Sequence, residues 1–124
     1  MRWKSFPTKG KGRGKKLGFP TINLTFPDQF PLENGIYAVW VTIDNHKYRG
    51  ALHFGPVPTF GEKKRSLEVF LIDDRDFSLD ISIKNPVEVE TVKKIRDVNN
   101  FSSPQALTDR MKKDVAEAII LLHE

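Results

Sequence analysis

From Ile36 to Ile95 the chain offers one strand-like run after another, with no helix to separate them. Ile36–Ile43 is β-branched or aromatic almost throughout and apolar on both faces, so it reads as a central strand. Asp44-Asn45 then gives a tight turn into Lys47–Phe54, and the two runs form a hairpin. Ser66–Ile72 alternates, with Leu67, Val69 and Leu71 on one face and Glu68, Phe70 and Ile72 on the other. After the polar turn 73–76, Leu79, Ile81 and Ile83 alternate with Asp80 and Ser82. Asn85-Pro86 breaks that run, and Val87–Ile95 continues as a strand whose alternation slips near Thr91, which predicts a bulge. Parallel strands would need helical crossovers, and none is present. The expected fold is therefore all-β and antiparallel, closed or nearly closed into a barrel of about six strands.

The flanks complete this picture. Residues 1–8 supply a first strand around Trp3 and Phe6, with Pro7 keeping it at an edge, and Thr21–Phe26 a short one. Asn34-Gly35 marks a turn needing positive φ. Gly55-Pro56 and Pro58-Thr59 open a loop through Gly61 with Phe60 as an apolar plug, and residues 62–65 are charged and expected to be exposed. One helix follows, over about 103–122. Ser102 or Ser103 can cap it, Pro104 suits its first turn, and Gln105 would complete a capping box with Ser102. Leu107, Met111, Val115, Ala118, Ile119 and Leu122 form one apolar stripe, with Lys112, Lys113 and Glu117 opposite. The stripe must lie on the outside of the sheet or across one end of it. With 124 residues, 39% of them hydrophobic, residues 1–124 make one domain with one core.

Charge and composition narrow the function classes. Residues 1–18 hold seven Lys or Arg and no Asp or Glu, leaving 13 of the 20 basic residues against 16 acidic ones elsewhere. The positive field is local, and it is interleaved with Gly10, Gly12, Gly14 and Gly18 in the stretch KGKGRGKKLGFPTINL, Lys9–Leu24. Close glycines let a backbone turn tightly and present N–H groups to an anion, which suits a compact polyphosphate; a plain basic surface loop is the alternative. The stretch is neither a Walker loop, because Phe19 follows Gly18 where Lys-Ser/Thr is needed, nor a dinucleotide fingerprint between strand and helix. A binder of an extended nucleic acid would spread its charge and interleave aromatics, and only Phe19 is close. The chain has no cysteine, which removes disulfides, thiol nucleophiles and thiolate-bound metals. No apolar run is long enough to span a bilayer, so a cytoplasmic setting without membrane contact is expected.

A few side chains could carry chemistry. Thr21 and Asn23 point the same way from a strand and offer two neutral oxygens to a hard divalent ion whose charge substrate phosphates would match; ordinary strand and turn roles compete with that reading. Glu68 lies inside an apolar strand, on one face with Phe70, as a base taking a hydroxyl proton would, or as an outward residue paired with a lysine. His46, His53 and His123 lack ligand spacing and predict no metal site. Arg96 could meet an anion, an aromatic ring or a surface carboxylate, and Phe101 reads as a core plug or staple before the helix.

Taken together, GKGRGKKLGFPTINL (10–24), LENGIYAVWV (32–41), FGPVPTF (54–60), LEVFLID (67–73) and IRDVNNFSSPQAL (95–107) resemble the riboflavin kinase family, in family order and over nearly the whole chain. The resemblance implies a six-stranded Greek-key barrel with a C-terminal helix, and transfer of the γ-phosphoryl of ATP to the ribityl 5′-hydroxyl of riboflavin, giving FMN and ADP. It implies that Gly10, Lys11, Gly12, Arg13, Gly14, Lys15 and Gly18, with Pro20, lie along the nucleotide. It further implies that Thr21 and Asn23 are the Mg²⁺-associated pair, that Glu68 is the catalytic base, and that Arg96 to Phe101 belong to the flavin side. The partners are then ATP/ADP and riboflavin/FMN, with a monomer expected.

The sequence also departs from the family pattern. Ser5-Phe6-Pro7-Thr8 replaces a valine-rich strand, His53-Phe54 stands where Asn often precedes the glycine, Phe70 takes a common His position, and Ser82-Ile83-Lys84 falls where Leu-Tyr-Gly is frequent. The length leaves no room for an adenylyltransferase domain, so FAD synthesis is not expected of this chain. Two other classes stay open at this point: a catalytically inactive barrel binding a flavin or a nucleotide, and a basic β-barrel that binds nucleic acid.

Overall fold

The computed structural model describes residues 1–9, 18–74 and 85–123. Seven strands are present among them: β1 Arg2–Ser5, β2 Pro7–Thr8, β3 Ile22–Leu24, β4 Gly35–Ile43, β5 His46–Gly55, β6 Ser66–Leu71 and β7 Val87–Arg96. A 3₁₀ turn covers Pro58–Phe60, and helix α1 runs Pro104–Leu121. All neighbours pair antiparallel in one sheet, in the order β1-β7-β4-β5-β6-β3-β2. This is the expected all-β fold with a C-terminal helix, with a different strand count. The single strand expected over 1–8 is split at Phe6 into β1 and β2, and the strand expected over 79–83 lies outside the described residues.

The split has a topological meaning. β1 and β2 are the outermost strands on opposite edges of the ladder, yet only Phe6 separates them in the chain. Two Cα–Cα steps span no more than about 7.6 Å, so the sheet curls until its two edges meet at this residue. The backbone of Phe6 is held there: Thr25 N donates to its carbonyl at 2.9 Å, and its own N–H donates to Thr25 Oγ1 at 3.1 Å.

Inside the curl, alternate residues of every long strand make the core: Val39, Val41 and Ile43 of β4, Leu52 and Phe54 of β5, Leu67, Val69 and Leu71 of β6, Val87 and Val89 of β7. Trp3, Phe26, Phe30 and Phe54 add edge-on ring contacts at 5.0–5.2 Å. β4 is apolar on both faces because its outer side is covered too. There Ala38 meets Ala118 of α1 and Leu122 just after it, flanked by Trp40 and Ile95.

The turn between β4 and β5 is the two-residue type expected, with Asp44 at φ 49° and Asn45 at φ 67°, a pairing that matches the twist of a hairpin. Asn34-Gly35 is different. Gly35 opens β4 without a positive φ, and the site is tight: a Cβ there would stand 2.6 Å from Lys94 Cε, displacing that side chain, and 3.0 Å from the Arg96 carbonyl. The slip in β7 is present as register shifts opposite Ile36/Tyr37 and Ala38/Val39, the latter passing over Val92 next to Thr91.

In α1 the cap is Ser103, whose Oγ accepts from Ala106 N at 3.1 Å. This places Gln105 one position short of the box geometry, and its amide donates to Asp109 instead, at 2.9 Å. The fully buried positions are Asp114, Ala118 and Leu122, one every fourth residue, so Ile119 turns outward and is 43% exposed. No helix among the described residues is long and apolar enough to cross a membrane.

Candidate active site

The outer face of the curled sheet carries one continuous rung of side chains. Cα pairing links Asn23 on β3 to Glu68 on β6, Glu68 to His53 on β5, His53 to Ile36 on β4, and Ile36 to Arg96 on β7. Because strand residues alternate faces, a residue paired straight across a ladder shares its neighbour's side. Five residues spread over 74 positions of sequence thus stand in one row, and all five line a single cavity of about 370 Å³ between the sheet and α1.

Glu68 is at the centre of the polar end. Thr21 Oγ1 donates to its Oε1 at 3.0 Å, and Ser66 Oγ donates to its Oε2 at 2.9 Å. His53 Nδ1 stands 3.9 Å from the same Oε2. The other ring nitrogen, Nε2, is 3.0 Å from the Pro56 carbonyl, which can only accept; the imidazole therefore carries its hydrogen on Nε2. Nδ1 is buried without a hydrogen-bond partner. Burial holds this imidazole below the usual histidine range; the Glu68 carboxylate and the Pro56 carbonyl oppose that, and the Arg96 guanidinium adds to it.

The opposite end of the rung is locked. Arg96 Nε donates to Asp114 Oδ1 at 2.9 Å and Nη2 to Oδ2 at 2.8 Å, in a fork that leaves the two side chains only 9% and 4% exposed. Arg110 Nε adds a contact to Asp114 at 3.2 Å, and Arg96 Nη1 donates to the Asp97 carbonyl at 3.0 Å. The Arg96 guanidinium also lies 5.4 Å from the centre of the Phe101 ring. Of the alternatives open to Arg96, the ring and a carboxylate are both taken, and the carboxylate is a buried one.

The glycine-rich stretch meets the cavity at its ends. Gly10, Lys11, Gly12, Arg13, Gly14 and Lys15 lie outside the described residues. Lys9 before them and Phe19 after them both line the cavity. Gly18 holds φ 84°, a conformation that side-chain-bearing residues avoid. Pro20 is half-buried between Phe19 and Thr21 without lining the cavity. Phe101 does not line it either: its N–H donates to Thr59 Oγ1 at 3.0 Å, tying the segment before α1 to the 3₁₀ turn. Phe19 and Phe70 meet edge to face at 5.3 Å on the cavity wall.

Several of these residues carry little or no local signal in the sequence. Lys63, Lys64 and Arg65 are exposed as expected, but Glu62 is half-buried, and Glu62, Lys64 and Arg65 all line the cavity. Ser66 is two positions from Glu68, and the strand period alone puts it on the same face. Asp114 falls within the apolar stripe of α1, four residues after Arg110, and a lone carboxylate at that spacing was a readable sign of a buried partner. Nothing local marks His53 as the neighbour of Glu68, because that pairing depends on strand order. The stripe residues Leu107, Met111 and Val115 are half-buried and form the apolar wall of the cavity.

The arrangement suits a polar reaction at one end and an apolar ring system along the other. Its donors at the polar end are oxygens, from the Glu68 carboxylate and the neutral Thr21 and Asn23; Glu62 also lines the cavity, and the Asp114 carboxylate there is taken by Arg96. The polar-end donors fit a magnesium ion whose charge is balanced mostly by a triphosphate, and do not fit a soft metal. Among the described residues no cluster of three or more His, Cys, Asp or Glu forms a metal cage.

Comparison with known proteins points the same way. The family model for riboflavin kinase (Flavokinase) matches residues 1–122. The RNA-binding riboflavin kinase RibR of Bacillus subtilis is 38% identical over 109 residues, covering 87% of this chain and 45% of that protein. A bifunctional riboflavin kinase/FMN adenylyltransferase of Buchnera aphidicola is 37% identical over 109 residues, covering 86% of this chain and 34% of that protein. A Streptococcus pneumoniae crystal structure described as a macrolide-efflux protein superposes with a TM-score of 0.78 at 31% identity, over 95% of this chain and 38% of that one. The chain spans less than half the length of these relatives. With its whole sheet and helix inside the matched region, this chain belongs to the riboflavin kinase family.

Proposed function

We propose that this chain transfers the γ-phosphoryl of ATP to the ribityl 5′-hydroxyl of riboflavin, giving FMN and ADP. The observation that carries the proposal is the Thr21–Glu68 hydrogen bond, which joins residues 47 apart within a cavity that both ends of the glycine-rich stretch reach. In this reading Glu68 accepts the hydroxyl proton as the oxygen attacks, and Thr21 and Ser66 hold the carboxylate in place through both oxygens. Gly10 to Gly18, with Lys9, Lys64 and Arg65 at the rim, would neutralise the triphosphate. Thr21 and Asn23 would hold magnesium, which when bound spreads the charge developing on the phosphate oxygens. The apolar wall from Ile36 to Leu107, Met111 and Val115 would take the isoalloxazine ring, with the Arg96–Asp114 pair fixing the distance between sheet and helix. Phosphoryl transfer asks mainly for alignment and charge neutralisation, and this site is built for both.

The test is direct. Incubation with ATP, Mg²⁺ and riboflavin, followed by separation of flavins, is expected to yield FMN in step with ADP. Tight FMN binding with no product above background would replace the kinase reading with that of an inactive flavin-binding relative.

A further inference from the structure

We propose that His53 is a positioning residue for Glu68, its free Nδ1 receiving the hydrogen that the Glu68 carboxyl carries once it has taken the proton of the acceptor hydroxyl. The proposal rests on the kinase reading above and adds a residue to it.

The geometry of the pair is one hydrogen short. Nε2–H is committed to the Pro56 carbonyl, so Nδ1 holds a lone pair. That lone pair is buried and has no partner, an arrangement that costs stability and that folded proteins avoid. It faces Oε2 of Glu68 at 3.9 Å, and a carboxylate oxygen has nothing to donate. The gap is the separation of two acceptors, and a hydrogen placed between them would draw it in by about 1 Å, to ordinary hydrogen-bond length. Ionisation of the ring is opposed by burial, which outweighs the pull of the Glu68 carboxylate and the Pro56 carbonyl, and by the positive charge of Arg96. The missing hydrogen is the one the reaction delivers. As the acceptor oxygen bonds to the γ-phosphorus, the bond from that phosphorus to its bridging oxygen breaks and its electron pair leaves on ADP. The hydroxyl proton passes to Glu68 Oε2, and the new carboxyl donates to Nδ1. When products depart the proton is lost to water and the carboxylate returns to Thr21 and Ser66.

Three substitutions separate this role from simple core filling. The amide oxygen of asparagine reaches the place of Nδ1, glutamine reaches only that of Nε2, and leucine keeps bulk alone. In the full chain, H53Q and H53L are expected to lose about tenfold in kcat, with KM for ATP and for riboflavin within about twofold. H53N is expected to retain at least about a third of kcat, because it restores the acceptor. Placed on E68Q, none of the three should lower kcat further, since there is no carboxyl to receive. Thermal melts confirm that each variant is folded. Full kcat in H53Q or H53L, equal loss in all three, or an undiminished effect on the E68Q background overturns the proposal. If E68Q itself turns over like the parent, the base reading falls and this proposal with it; if E68Q is impaired and H53Q is not, this proposal alone falls.

Discussion

Asp114→Ala gives the sharpest test of how the helix is held over the cavity. Asp114 is 4% exposed in its side chain and accepts a two-pronged contact from Arg96, itself 9% exposed, together with one from Arg110. Removing the carboxylate leaves a guanidinium out of water with, among the described residues, the Asp97 carbonyl and the Phe101 ring as its remaining partners. Breaking one half of a buried ion pair costs about 3 kcal/mol or somewhat more. An unfolding entropy of about 2.1 cal/mol/K per residue gives a 124-residue chain about 0.26 kcal/mol/K, so the melting temperature should fall by about 12 °C. The assay is thermal and urea unfolding followed by circular dichroism, with coincident probes to establish a two-state transition. Arg96→Met with Asp114→Leu replaces both charges by apolar bulk and should recover to within about 1 kcal/mol of the parent, since burying the charges offsets most of their attraction. Arg110, at 36% exposure, can turn to water in that variant. A drop of less than about 4 °C in Asp114→Ala, or a double variant as unstable as the single one, would refute the reasoning.

Three further outcomes are expected. Glu68→Gln should lower kcat by about 10²-fold or more while leaving ATP binding nearly intact, read by steady-state kinetics and nucleotide titration; unchanged turnover would remove Glu68 from the mechanism. Thr21→Ala should raise KM for Mg·ATP more than for riboflavin, and the opposite pattern would misplace the nucleotide. His53 is held below its ordinary value of 6.5 by burial first of all, so in the window from 6.5 down to its folded value the unfolded chain binds a proton that the folded one refuses. Stability should therefore fall as pH drops through about 6.5, and H53N should flatten that slope; identical slopes in urea unfolding series at several pH values would count against the buried neutral ring.

What could be read from the sequence was whatever repeats locally. The β4–β5 hairpin was legible because a β-branched run, two turn residues and a second run sit side by side, and β6 because its alternation is unbroken. The helix start was legible to within one residue, and the slip in β7 appeared as a lapse in alternation next to the observed shift. What failed depended on distant partners. Asn34-Gly35 looks like a turn, but the glycine answers to Lys94 and Arg96, about 60 positions away. The split at Phe6 follows from the sheet's curvature, which no single strand encodes. Within the site, Thr21, Asn23 and Glu68 each stand out in the sequence by residue type and position. Ser66 follows from the strand period, but the meeting of Thr21 and Asn23 with Glu68 and His53 needs the order β3-β6-β5, which no local pattern carries.

The outward row that holds Glu68 and His53 alternates, residue by residue, with the inward row that holds Leu67, Val69, Leu52 and Phe54. A one-residue shift of β6 along its neighbours would drive the carboxylate inward and turn Leu67, Val69 and Leu71 out to water. Misregistered chains are thus penalised twice over, and the fold polices its own reactive group: whatever stays assembled has its acid facing the right way. The same interleaving tells an engineer where to work. Outward positions of β5 and β6 other than His53 and Glu68, such as Ala51 and Phe70, can be varied to reshape the cavity, while the intervening ones are left alone to keep the scaffold standing.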